Sequence, residues 1–155
     1  MRVSSKVDYA VRASAELARR SPDRSCRPTK GEVIGEAQEI PTKYLESILS
    51  ELRRAGIVGS RRGAEGGYWL ARAAEDVSVA DVIRAVEGPL ADVRGEAPES
   101  LEYVGAAVPL EQVWVATRAA LRRVLESVDL ASIASDDLPA EVLELLEDPD
   151  ALARR

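Results

Sequence analysis

The stretch Thr42–Leu70, TKYLESILSELRRAGIVGSRRGAEGGYWL, changes its period halfway. As far as Gly56 its apolar residues recur at helical spacing, with Leu45, Ile48, Leu49 and Leu52 on one face. Thr42 is a residue type that caps helix starts, and Gly56 stands where a helix end belongs. Beyond it, IVGS and GYWLA are short strand candidates flanking RRGAEG, which reads as a hairpin with a glycine-rich tip. Three glycines beside two arginines also invite a phosphate-cradling loop. That reading requires Lys-Ser/Thr after the last glycine and a helix N-terminus facing the phosphate. Here the last glycine runs into Tyr68-Trp69-Leu70, a strand, so the hairpin is retained and a wing is favoured.

Upstream, GEVIGEAQ reads as a short helix with Val33, Ile34 and Ala37 facing inward, and EIP interrupts before Thr42. Helix, tight turn, helix at this length is the helix-turn-helix pattern. A first helix, KVDYAVRASAELARR, is capped by Ser4 or Ser5 and carries Val7, Ala10, Val11, Ser14, Ala15, Leu17 and Ala18 on a face of small residues. The turn SPDRSCRPTKG ends it. Downstream, Ser78 and Asp81 have capping-box spacing before VADVIRAVEG, and Gly88 terminates that helix. Residues 89–109 are loop-like, rich in Pro, Gly and acids. A long helix then runs from about Leu110 to Val128, with Leu110, Val113, Trp114, Thr117, Leu121, Val124, Leu125 and Val128 in one stripe. Such a stripe, far from the first core, calls for a partner: a crossed or antiparallel second copy, packing onto the first helix, or both. Residues 136–155 form an acidic tail with an amphipathic turn or two around Val142–Leu146.

Composition narrows the function classes. Of 155 residues 46% are hydrophobic but only 4% aromatic, with no Phe, so the core must be built from Ala, Val, Leu and Ile. No apolar run has the length of a membrane span and no signal sequence opens the chain, which leads us to expect a cytoplasmic protein. The net charge of −6 conceals an asymmetry: residues 1–72 hold 14 Lys and Arg against 9 Asp and Glu, whereas residues 73–155 hold 7 against 18. A net +5 half joined to a −11 half is the pattern of a polyanion-binding body with an acidic extension. Cys26 is the only cysteine and there is no His, which excludes an intrachain disulfide, a Cys/His zinc site and histidine-based catalysis. No Asp/Glu pair stands out for acid–base work, so an enzyme is not expected.

Together these segments resemble the Rrf2 family of bacterial winged-helix transcription regulators. The resemblance is carried by SSKVDYAVRA, IPTKYLESILSELRRAGIVGSRRG and GGYWLARAAEDVSVADVIRAVEG, and extends through the long helix to DLASIA. It implies a mainly α fold with a small β-hairpin: a winged helix-turn-helix domain over 1–88, a sensor-type loop over 89–109, and a dimerisation helix with a following short helix over 110–135. It implies a homodimer whose long helices cross, with Val113, Trp114, Thr117, Leu121, Val124 and Val128 at the interface. Thr42, Lys43, Tyr44 and Glu46 would open a recognition helix in the major groove of double-stranded DNA, and Arg61, Arg62 and Gly63 would form a wing at the minor groove. Arg2, Lys6 and Lys43 would lie near the phosphate backbone. Elementary chemistry is compatible with these roles: Glu46 can accept from a cytosine amino group, and a narrow minor groove attracts an arginine. Arg53 and Arg54 are read as a solvated helix end matched to the helix dipole, Tyr9 and Tyr68 as packing, and Trp69 as an anchor holding the hairpin to the helices.

Two departures from the family pattern matter. Its tip tends to carry Pro-Gly where this chain has Ala64-Glu65, and Glu65 near phosphate is repulsive unless it points away. Many members hold an iron–sulfur cluster through three cysteines in the segment equivalent to 89–109, which here contains none. Asp8 matches a non-cysteine ligand of some relatives, but without thiolates it is read as a first-turn helix charge, and no metal or cofactor is expected. Cys26, flanked by Arg24 and Arg27, is either a thiol made reactive by its neighbours or an unremarkable one. The resulting expectation is a DNA-binding transcription regulator, a homodimeric repressor answering to an effector protein or small molecule. The alternative is a protein-interaction module that docks a metabolic enzyme, of cysteine-synthesis type, through its acidic half.

Overall fold

The computed structural model describes residues 3–20 and 28–153. In chain order these form α1 (Ser5–Arg20), α2 (Gly31–Gln38), α3 (Thr42–Arg54), β1 (Val58–Arg61), β2 (Gly67–Leu70), α4 (Val79–Glu87), α5 (Leu110–Ser127), α6 (Leu130–Ser135) and α7 (Ala140–Leu146). The architecture is mainly helical with one antiparallel hairpin, as the sequence implied.

Helix α1 is the centre of the core. Ser4 is its cap, the Oγ accepting from the Val7 amide at 3.1 Å. Val7, Ala10, Ala13, Ser14, Leu17 and Ala18 are buried on it, and the buried Ser14 hydroxyl is satisfied by donating to the Ala10 carbonyl at 2.8 Å. Val11 and Ala15, expected on the same face, are only half-buried. Around α1 the core is completed by Ile34, Ile40, Leu45, Ile48, Leu49, Leu52, Val77, Val82 and Leu130. In α2 only Ile34 and Gly35 are buried; Val33 and Ala37, expected to face inward, are exposed, because a two-turn helix presents little more than one contact to α1 and α3.

The start of α3 also differs from expectation. Pro41 is the cap, and Thr42 is already helical with no side-chain capping bond. Proline's fixed φ turns the chain into the helix, and its carbonyl accepts from the Tyr44 and Leu45 amides. That leaves the Thr42 side chain exposed.

In the hairpin, Val58 pairs with Leu70, Gly59 with Trp69, Ser60 with Tyr68 and Arg61 with Gly67. Alternation puts Tyr68 and Leu70 against the core and turns Trp69 to the other face. Trp69 is therefore no anchor to the helices. Its indole lies across Gly59, where a Cβ would come within 2.5 Å of the ring, so the pair closes the outer face of the hairpin. Thr29 extends the sheet by one bridge, exchanging backbone hydrogen bonds with Tyr68 at 2.8 and 2.7 Å.

The capping box of α4 is present in full: Asp81 N–H donates to Ser78 Oγ at 3.1 Å and Ser78 N–H to Asp81 Oδ2 at 3.2 Å. After α5 the chain returns to the first body. Val79 N–H donates to the Val128 carbonyl, Leu130 N–H donates to the Val77 carbonyl, and Leu130 is fully buried where α6 packs on α1. The segment 110–135 is thus structurally split, α5 projecting from the core and α6 belonging to it.

One buried charge was missed by the sequence reading. Glu16 is 2% exposed and accepts from Arg19 (2.8 Å), Arg20 and Gln38 (3.0 Å), joining α1 to α2. Burial pushes its carboxyl up, but the hydrogen bonds from Arg19, Arg20 and Gln38 outweigh this and hold it below the usual carboxylate range. A depressed carboxyl contributes stability that is present above its unfolded pKa and lost as pH falls through the folded one. Glu16→Ala should therefore cost about 1–3 kcal/mol at neutral pH, less as the medium is acidified below the ordinary glutamate range. Urea unfolding at neutral and acid pH measures this; an unchanged midpoint at neutral pH would show that the clamp does not stabilise the fold.

Candidate nucleic-acid interface

Helix α3 buries Leu45, Ile48, Leu49 and Leu52, and this fixes which residues face outward. Lys43, Glu46, Ser47, Ser50 and Arg54 are all exposed and share one stripe at spacings of three and four. On one flank Tyr44, 60% exposed, stands 6.2 Å from the Tyr9 ring, over which the Arg12 guanidinium lies at 5.6 Å. Asp8 pairs with Arg12 at 3.2 Å, an i,i+4 contact in the first turns of α1. On the other flank stands the hairpin. Between α3 and the hairpin runs a groove of about 510 Å³, lined by Thr42, Glu46, Ser50, Arg53, Arg61 and Arg62 among others. Lys30 at the start of α2 adds a further cation, so basic groups outnumber the acids Glu32 and Glu46 there.

The tip geometry answers the question raised by its glycines. Gly66 N–H donates to the Gly63 carbonyl at 2.9 Å, and a Cβ on Gly66 would lie 2.2 Å from the Arg61 carbonyl oxygen. The tip closes this tightly only because that position has no side chain. Arg61 donates to the Glu65 carbonyl at 3.0 Å, which braces the tip. The Arg62 and Gly63 positions remain exposed.

The expected DNA-contacting residues thus divide. Thr42, Glu46, Arg61, Arg62 and Gly63 come together at the groove, with Lys43 and Tyr44 on the adjoining surface. Lys6 does not join them. Its Nζ donates to the Val86 carbonyl at 2.6 Å and pairs with Glu51 at 2.7 Å, so it braces α1 against α3 and α4. Arg2 lies outside the described residues, as does Cys26. Sequence reasoning undervalued Arg53, which is no free helix end: its guanidinium donates to Ser60 Oγ at 3.3 Å and ties α3 to β1. Ser47, Ser50 and Arg54 were legible from the same helical spacing that placed Lys43 and Glu46.

The expected interface residues divide too. No residue of α5 is buried: Val113 is 49% exposed, Thr117 is exposed, and Trp114, Leu121 and Val124 are half-buried. Val128 is the exception and a correction. The helix stops at Ser127, and Val128 is extended and 8% exposed, its carbonyl bound to Val79, so it belongs to the subunit's own core. No helix among the described residues is long and apolar enough to cross a membrane.

Comparison with known proteins agrees with this geometry. The family model Rrf2, described as an iron-dependent transcriptional regulator, matches residues 3–136. A protein of Mycobacterium tuberculosis named as a helix-turn-helix-type transcriptional regulator is 44% identical over 96% of this chain and 90% of its own length. The regulator CymR of Bacillus subtilis is 35% identical over 87% of this chain and 91% of its own. Among solved structures, that of CymR, the global cysteine regulator of B. subtilis, superposes with a TM-score of 0.71 at 32% identity, covering 88% of this chain and 98% of that one. T. potens IscR gives 0.69 at 34% identity, covering 88% of each. These relatives are transcriptional regulators rather than enzymes, and none of their names supports a docking module for a metabolic enzyme.

Iron in the family description raises the question of a donor set. The chain has one cysteine and no histidine, and among the described residues no three His, Cys, Asp or Glu side chains are grouped to hold a metal. The residues present do not fit an iron–sulfur cluster, which is held by several thiolates. With the fold, the exposed α3 stripe and the arginine-bearing hairpin in agreement, the chain belongs to the Rrf2 family of winged helix-turn-helix, DNA-binding transcriptional regulators.

Proposed function

We propose that this protein acts as a homodimeric repressor that senses its signal without an iron–sulfur cluster. The observation that carries the DNA-reading part is the groove between α3 and the hairpin, where Thr42, Glu46, Arg53, Arg61 and Arg62 converge. The start of α3 enters the major groove, with Glu46 reading a base edge and Lys43 neutralising phosphate. Arg62, at the exposed tip, lies at the minor groove, where negative potential is focused. Phosphate contacts position the protein and base contacts specify the site.

Dimerisation is supported by α5, an 18-residue helix without a single buried residue that nevertheless carries Val113, Trp114, Leu121 and Val124. A second copy crossing at this helix removes the stripe from water and sets two recognition helices on one face. Occupying two half-sites, such a dimer excludes other proteins from a promoter, which is the simplest route to repression. Residues 89–109 serve as the sensor segment and 136–155 as an acidic extension in this reading. Its lone thiol gives it no cluster chemistry to sense with.

Affinity for an operator should fall steeply with salt, in proportion to the number of phosphates neutralised; a flat titration would count against a phosphate-driven interface. Arg62→Ala should cost about 1–3 kcal/mol of binding, most on A·T-rich flanks, while Glu46→Ala relaxes preference at one base pair per half-site and spares non-specific binding. Footprints should show two protected major-groove patches about one helical turn, or a small multiple, apart; wild-type affinity of Arg62→Ala on every sequence would remove the wing from the interface. Leu121→Asp would bury an unpaired charge between subunits at a cost of several kcal/mol. It should run as a monomer in size-exclusion chromatography with light scattering, and a persistent dimer at micromolar concentration would place the interface elsewhere.

A further inference from the structure

The segment after α4 is built as a fixed cover. Val93 and Glu96 exchange both backbone hydrogen bonds at 3.0 and 3.1 Å around Arg94-Gly95, closing a tight turn. Leu90, Pro98 and Leu101 are buried on either side of it, and the turn at Pro98–Ser100 packs on α5. Beside this segment lies an open depression of about 660 Å³. Arg84 reaches it from α4, and Arg118 and Arg122, one turn apart on the same face, reach it from α5; Asp92, Glu99 and Leu90 complete the polar and apolar lining.

Each of these guanidiniums is held by a carboxylate of the protein itself. Glu99 takes Arg118 at 2.6 Å, while a single oxygen of Glu126 takes both Arg84 and Arg122, the latter at 3.0 Å. Asp81 stands 3.5 Å from Arg84. Every guanidinium carries five donors in a fixed fork, so one carboxylate oxygen apiece leaves donors unspent, and the fork geometry matches a carboxylate or phosphate. Glu99 lies below the usual carboxylate range through its own backbone hydrogen bond and that of Arg118, and Glu126 through hydrogen bonds from Arg84 and Arg122. Both carboxylates pair with these guanidiniums from within the protein.

We propose that this cavity binds a small organic anion of the carboxylate or phosphate class, seated between Arg84, Arg118 and Arg122, and that it is an effector site. The regulatory half rests on the DNA-binding role proposed above; the binding half does not. Arg84–Glu126 is a direct polar link between α4, in the DNA-reading body, and α5, the proposed dimer helix. An anion that draws Arg84 and Arg122 away from Glu126 loosens this link and changes how the body sits on α5.

Isothermal titration calorimetry of the full chain with inorganic phosphate, succinate and citrate, each against sodium chloride at matched ionic strength, tests the site. At least one anion should bind saturably, one per chain, and which one saturates separates the phosphate from the carboxylate source. Arg118→Gln should weaken binding about tenfold or more, and Glu99→Gln, which removes the internal competitor, should tighten it. Arg62→Ala, at a position lining the groove beside α3 and not this cavity, should leave it unchanged, which distinguishes this cavity from phosphate on the proposed DNA face. Absence of saturable binding to all three anions, or equal affinity in Arg118→Gln, overturns the proposal. Should Arg118→Gln fail to fold by circular dichroism, the absence of tightening in Glu99→Gln overturns it instead. Operator affinity measured with and without the binding anion tests the effector half, and no change overturns that half. A protein that binds the anion but no DNA at all would refute the repressor reading, leaving the cavity assignment intact.

Discussion

Close packing around α1 is the constraint on which the rest of the structure depends. Helices α2, α3, α4 and α6 and strand β2 all pack against this one helix. They reach it because its inward face is built from Ala10, Ala13, Ser14 and Ala18, with Val7, Leu17 and the buried Glu16 as the larger side chains. Small residues let helix backbones approach closely, and a dense interior does not forgive added volume: overpacking costs about 1–3 kcal/mol. With almost no aromatic side chains to fill space, the chain makes its core by bringing backbones together. The angle at which α3 leaves that core, and hence the face it leaves exposed, follows from this packing.

Polar contacts set the register of the same body. Lys6 connects the end of α4 to Glu51 on α3, and Ser4 meets Glu87 beside it. Glu16 gathers Arg19, Arg20 and Gln38 at the opposite end of α1. Burying a charge is unfavourable unless it is paired and hydrogen-bonded, so the buried Glu16 tolerates few alternative arrangements. Lys6 and Glu51 tie α3 to α4, the helix that leads into residues 89–109.

Helix α5 is the counterpart of this economy. It is held at its far end by the Val128 and Leu130 backbone bonds to Val79 and Val77, and along its length by the salt bridges of Arg84 with Glu126 and Arg118 with Glu99. Apolar burial within the subunit contributes little to it, since no residue of α5 is buried. Its attachment is polar, whereas its apolar stripe stays partly exposed.

Periodicity and turn chemistry are local properties, and they were legible in the sequence. The change of period after Gly56, the capping box at Ser78 and Asp81, and the helical stripe of Leu45, Ile48, Leu49 and Leu52 all follow from residues within a few positions of one another. Family likeness was legible for the same reason, since it rests on consecutive runs. What the tertiary structure alone decided is which of several chemically equivalent groups face the same space. Lys6 and Arg62 are both cations in the basic half, yet α4 and Glu51 occupy one and leave the other exposed. Val128 continues the stripe of α5 by spacing, yet the chain leaves the helix one residue earlier and folds it into the core. Trp69 and Tyr68 are neighbours in one strand, and only the pairing register decides that Tyr68 meets the core and Trp69 meets Gly59. Arg118 and Arg122 share a face of α5 by helical spacing, but no local rule brings Arg84 of α4 to the same cavity. Such assignments depend on contacts between residues tens of positions apart, which a sequence read window by window does not contain.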